Sequence, residues 1–185
     1  MYAPAPRWRL PLAILGIVLA TGAASAGVVV PRDLLGQLKM IGETGRAAHV
    51  TILSRETVST FADFEFALQR VKVRVVDGFF NAKRGDEFEF LVPAGTTISP
   101  RDQLTQPGRN VVVFVARDAR VTKQYGDHAF YLFSFAEIYD VQRGLGREAT
   151  VVGQGKGAAI EDNIKIGALG EAMGNAVRLF EKRGG

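Results

Sequence analysis

The sequence predicts a mostly β (β+α) chain: an antiparallel sheet curled into a small closed or partly open barrel, with a short helix before it and a longer helix after it. Three observations predict this. Between residues 47 and 139 apolar and polar side chains alternate in short runs, separated by turns rich in Gly and Pro. One of those runs changes phase: Phe64, Phe66 and Leu68 occupy one parity, whereas Val71, Val73 and Val75 occupy the other. Strand side chains point to opposite faces with period two, so the change implies an extra residue or a change of face near Gln69. A β-bulge there would bend the strand and curl the sheet. Finally, Leu169, Met173, Val177 and Phe180 recur at intervals of four, four and three, a single helical stripe.

The N-terminus reads as an export signal. Arg7 and Arg9 form a basic n-region, Leu10 to Ala20 is apolar, and Ala24-Ser25-Ala26 supplies the small residues required before a signal-peptidase cut. Residues 1–26 are therefore expected to be a signal peptide, and the chain to be periplasmic or secreted, with no membrane span after cleavage. An uncleaved anchor is the alternative. The chain has 185 residues, 47% apolar and 23% charged, which suits one globular domain. Its formal charge of +4 falls to +2 once Arg7 and Arg9 are removed, leaving 21 basic against 19 acidic side chains. That balance argues against a polyanionic partner, and no nucleic acid is expected. Cysteine is absent, which removes disulfides, thiol catalysis and thiolate metal sites together.

Residues 27–46 form an N-terminal segment. Leu34, Leu35, Leu38 and Ile41 within Asp33–Glu43 have helical spacing, between Pro31 and the glycines 42 and 45; a loosely packed linker is the alternative. Residues 47–157 are assigned to the barrel. Its first strand carries Val50 and Ile52, followed by the phase-changing strand. An antiparallel hairpin of 71–76 with 87–92 would set Lys72 and Arg74 against Glu87 and Glu89. Asp77-Gly78 and Lys83-Arg84-Gly85-Asp86 are turn material. Residues 93–108 form a long loop with three prolines, Val111–Val115 a strand buried on both faces or a barrel stave, and Arg117–Asp127 a charged connection. Ala129–Tyr139 is an aromatic strand, and Val151-Val152 a last, short edge strand. Residues 158–185 hold the final helix, with Glu161-Asp162-Asn163 offering acids and a cap before it and Lys182 and Arg183 at its end.

The order of these pieces is familiar. Val73-Arg74-Val75-Val76-Asp77-Gly78 leads to Gly85-Asp86, then Glu89-Phe90-Leu91-Val92-Pro93-Ala94-Gly95, Gly108-Arg109-Asn110-Val111-Val112-Val113-Phe114 and Val151-Val152-Gly153-Gln154-Gly155. Over residues 47–157 this resembles a group of exported bacterial β-domains whose strand pattern is similar to the OB-type barrel of netrin-like and metalloproteinase-inhibitor domains. The resemblance implies an OB-like fold. It implies no activity and carries over no site residue, and the cysteines of netrin-like domains are missing here.

Few residues suggest chemistry. The two histidines, His49 and His128, form no HExxH or i, i+4 pair. Asp127-His128 with Asp118 or Glu137 is the one imaginable ligand group. No Gly-x-Ser-x-Gly elbow occurs, and the carboxylate pairs Asp63/Glu65 and Glu87/Glu89 sit at solvated strand spacing. Gly153-Gln154-Gly155-Lys156-Gly157 lacks the Ser or Thr of a phosphate loop and reads as a flexible exit from the barrel. The aromatic strand is either core or a stacking platform, and Gly170-x-x-x-Gly174 either permits a close helix contact or is incidental. The function expected is a non-enzymatic exported binding or interaction module without cofactor or metal. Its partner would be a protein or small ligand of the envelope. The contact surface would be the 93–109 loop and the 117–128 connection, with Arg101, Asp102, Arg120, Lys123, Tyr125 and His128 as contacts. The alternative is an exported hydrolase or metal-dependent enzyme using His128 with Asp127.

Overall fold

The computed structural model describes residues 33–58, 68–93, 103–117, 119, 122–123, 130–131, 138–143 and 148–184. Helix α1 (Leu34–Ile41) starts where the Asp33 carboxylate accepts the Gly36 N–H at 2.6 Å. It ends at Gly42, whose φ of 69° lies in the left-handed region and whose N–H returns to the Leu38 carbonyl. Eight strands follow: β1 (Arg46–Val58), β2 (Leu68–Phe80), β3 (Glu87–Pro93), β4 (Asn110–Val115), β5 (Phe130–Tyr131), β6 (Ile138–Arg143), β7 (Ala149–Val151) and β8 (Ile164–Lys165). Helix α2 (Ile166–Lys182) closes the chain.

The strands form one series in the order β5-β3-β2-β1-β4-β6-β7-β8, antiparallel throughout except for the parallel pair β3–β5. Among the described residues its two ends, β5 and β8, do not pair, so the sheet is open where the sequence allowed a closed barrel. It is nonetheless curled. Pairing sets Phe88 of β3 level with Val73 and, through it, with Ile52 of β1, six residues or about 20 Å along the strand from Arg46, yet the Arg46 guanidinium lies 5.1 Å from the Phe88 ring centroid. Phe130 and Ile138 bury in one cluster with Val50, Ile52, Val71, Val73, Val75, Phe88, Phe90, Val111 and Val113. This cluster fills the inside of the curl.

A second core lies on the opposite face, where α1 and α2 cover β1, β4, β6 and β7. Leu38, Ile41, Val112, Phe114, Tyr139, Val151, Leu169, Met173 and Phe180 meet there. The two cores account for the continuous apolar run Val111–Val115, whose odd residues enter one core and even residues the other. The stripe of α2 is as expected, except that Ala176 is buried where Val177 is partly so. A Cβ on Gly174 would meet open space and one on Gly170 the Phe79 ring at 3.9 Å, ordinary contact with β2, so that spacing marks no close helix contact.

The bends are not where the phase change placed one. From Leu68 to Lys72, β2 pairs with β1 and β3 in unbroken register. The change of parity is a change of face: Leu68 and Leu91 are buried on the outer side, next to a row whose inner members are Val71, Val73 and Val75. The irregularities fall at Ile52/Ser54 in β1 and opposite Ala47/Ala48 and His49/Val50, so that Leu53, Val76 and Phe79 are the extra residues. Phe64 and Phe66 lie outside the described residues.

The charged hairpin forms in the expected register, Lys72 opposite Glu89 and Arg74 opposite Glu87. Glu87 is held by Arg74 at 2.7 Å and Lys72 at 3.1 Å, and Arg70 reaches Glu56 at 2.9 Å. Three local expectations are corrected. Asp77-Gly78 belongs to β2, where a Cβ on Gly78 would lie 1.9 Å from the Ala82 carbonyl oxygen; the turn is Lys83–Asp86, with Gly85 at φ 88°. The strand at Val151 is interior, between β6 and β8. Glu161 and Asn163 do not cap α2: they accept the N–H groups of Gly157 and Gly153, shaping the loop before it.

Candidate functional site

Strand β1 runs the length of the curl and carries an arginine near each end, and both face its interior. At the first end Arg46 pairs with Val115 and has the inward parity of Ala48, Val50 and Ile52. At the second end the extra residue Leu53 shifts parity, so Arg55 pairs with Val71 and also points inward.

The two arginines find different surroundings. Arg55 donates to the hydroxyl of Thr105 at 3.2 Å, and Thr105 is fully buried. The segment carrying Thr105 is tied to β1 by backbone bonds from Gly108 N–H to the Ile52 carbonyl and from Ile52 N–H to the Arg109 carbonyl, both 2.9 Å. Thr51 Oγ1 donates to Asn110 at 2.8 Å beside them. This end is closed by the chain itself.

At the first end Arg46 lies over two aromatic rings, 4.7 Å from the Phe130 centroid and 5.1 Å from that of Phe88. The rings themselves meet edge to face at 5.8 Å. A second cation, Arg117, lies over the same Phe130 ring at 5.5 Å. Among the described residues no hydrogen bond or ion pair engages either guanidinium; ring faces are what hold them. Burial holds Arg46 below its ordinary pKa, Asp86 opposes that, and Arg117 adds to it. Asp86 is itself engaged by the backbone N–H of Lys83 at 2.9 Å. Phe130 is only 2% exposed, so its position is set by the core beneath, while Arg117 is exposed and Arg46 half-buried. The arrangement offers two sets of planar N–H donors over an apolar floor, a geometry suited to an oxyanion.

A separate polar pair lies on the β1–β2 ladder. His49 Nδ1 and Asp77 Oδ2 are 3.0 Å apart, brought together by β1–β2 pairing beside one of the bulges. The carboxylate fixes the imidazole, but His49 is 6% exposed and its Nε2 is buried without a partner. Gln37 of α1 is fully buried, with both amide atoms unpartnered. The buried His49 Nε2 offers no surface to a substrate. A shallow groove of 560 Å³ between the C-terminal ends of α1 and α2 is lined by Lys39, Gly42, Glu43, Phe180 and Arg183, charges of both signs that select no ligand.

Of the contacts expected from sequence, Arg101, Asp102, Arg120, Tyr125 and His128 lie outside the described residues, as do Asp127 and Asp118. Lys123 is exposed. Arg46, Phe88, Arg117 and Phe130 were not singled out. A signal for Arg46 existed: it shares parity with Ala48, Val50 and Ile52, so a charge stands in an inward-facing row. No group of three or more His, Asp or Glu suited to a metal occurs among the described residues, and none of their helices is long and apolar enough to cross a membrane. Compared with family models, curated proteins and solved structures, the chain matches none.

Proposed function

We propose that this chain is an exported, non-enzymatic binding module built on a partly open, OB-like barrel, and that it meets its ligand at the Arg46 end of the curl. The observation that carries the proposal is the contrast between the ends. One arginine is bonded to a buried threonine, whereas two others lie over ring faces with no hydrogen bond or ion pair among the described residues. Arg117 opens the 117–128 connection from which contacts were expected, which joins the two lines of argument. The basic n-region, apolar stretch and Ala24-Ser25-Ala26 support export. The test is the processed protein, purified from an expressing cell. An intact mass beginning at Gly27 is expected, together with no turnover across ester, peptide and glycoside substrates. Robust hydrolysis abolished by one polar substitution would overturn the module, and an intact N-terminus would overturn cleavage.

The alternative, a hydrolase, is favoured by one observation, the Asp77–His49 pair with its free Nε2. A general base must come within hydrogen-bond reach of the proton it takes, and this imidazole is only 6% exposed with its Nε2 buried. His49→Gln is accordingly expected to alter stability and no reaction.

A further inference from the structure

Two positive charges that share one phenyl ring repel each other, and in water an exposed arginine gains little from such a contact. Ring faces hold a cation weakly at exposed sites and more strongly only when water is excluded. Arg46 has lost part of its hydration to burial, and the like charge of Arg117 works against it as well. The field of Asp86 compensates in part, but its carboxylate is bonded to the turn at Lys83. The described residues thus leave this end with a net positive charge, unfilled N–H donors and an apolar floor formed by Phe88 and Phe130.

We infer that Arg46 and Arg117 form the binding site for a single oxyanion, a phosphate or carboxylate group of the ligand, held between the two guanidiniums above the Phe130 ring. The inference rests on the binding-module proposal and names its ligand chemistry. Guanidinium donors lie in a plane and pair with two oxygens at once, so a group with at least two equivalent oxygens fits and a halide does not. The Phe88 and Phe130 rings exclude water from one side, which strengthens each charge-assisted bond relative to a solvated pair. Two cations, rather than a row of them, suit one anionic group and not the repeating charges of a polyanion.

The experiment titrates the processed protein with inorganic phosphate, with succinate and with chloride at matched ionic strength. The readouts are the arginine Nε–Hε resonances and the thermal midpoint. Saturable shifts are expected with phosphate or succinate and not with chloride, and whichever binds tighter identifies the source of the oxyanion. Arg117→Gln and Arg46→Gln are each expected to weaken binding at least tenfold, whereas Arg143→Gln, exposed on β6, leaves it unchanged. Arg117 is exposed, so Arg117→Gln remains informative even where Arg46→Gln proves unstable. No saturable shift in the folded protein, or equal affinity in Arg117→Gln, overturns the oxyanion site. The module proposal falls on a different result, the hydrolytic turnover described above. Saturation that survives the Arg117 change leaves a binding protein and relocates its site.

Discussion

Arg46 and Arg55 belong to the same strand and face the same interior, about 30 Å apart along β1, yet they stand in opposite relations to the fold. At the Arg55 end the chain brings its own acceptor: the 103–109 segment docks on β1 and buries Thr105 against the guanidinium. At the Arg46 end it brings aromatic rings and a second cation. The Arg46 guanidinium is half-buried, and burial and the like charge of Arg117 both work against its charged form. The difference teaches that the chain supplies a polar partner at the Arg55 end, whereas at the Arg46 end the described residues supply ring faces and a second cation.

The comparison can be broken most severely at Phe130. Phe130→Ala removes the floor beneath both cations and a 2%-exposed member of the inner core. A loss of about 3–5 kcal/mol is expected in urea unfolding. A loss under 1 kcal/mol would mean that this end is not packed as described. At the other end Thr105→Val preserves shape and removes one hydrogen bond of Arg55 from a fully buried site. About 1 kcal/mol is expected from the lost bond, and unchanged stability would show that the closed end is not closed by this contact.

The smallest effect belongs to the outer hairpin. Arg74 first, then Lys72, hold Glu87 below the ordinary carboxylate range. Its folded pKa lies below its unfolded value, so its contribution is present above the unfolded pKa and lost as pH falls through the folded one. Glu87→Gln is therefore expected to be slightly less stable than the parent near neutrality and equal to it in acid. A difference that persists in acid would mean that the ion pairs contribute nothing and that the substitution acts through packing.

What was legible in the sequence was local. The hairpin register could be read because Lys72 and Arg74 alternate cleanly on one strand and Glu87 and Glu89 on the next, and both helices because their stripes have a fixed period. The curl was anticipated, but its cause was misplaced. Alternation distinguishes the two sides of a strand, and it cannot separate an added residue from a strand buried on both sides. Leu68 and Leu91 bury on the outer side, so the parity break at Gln69 came without a bulge. The real bulges fall at apolar doublets, Ile52-Leu53, Val75-Val76 and Phe79-Phe80, where alternation does not say which residue is the extra one. The site was illegible for a related reason. Arg46, Phe88, Arg117 and Phe130 come from four separate stretches, and Asp77, which resembles turn material beside Gly78, pairs with His49 twenty-eight residues away.

The contrast between a polar partner at one end and ring faces at the other rests most directly on the thermal unfolding of two variants, Arg55→Met and Arg46→Met, measured side by side without added anion. Methionine keeps an apolar stem against its neighbours at either position. The account predicts that Arg55→Met loses about 1–2 kcal/mol with the bond to Thr105, whereas Arg46→Met stays within about 0.5 kcal/mol of the parent or exceeds it, since it relieves burial and repulsion of a charge. A larger loss at Arg46 than at Arg55 would contradict it.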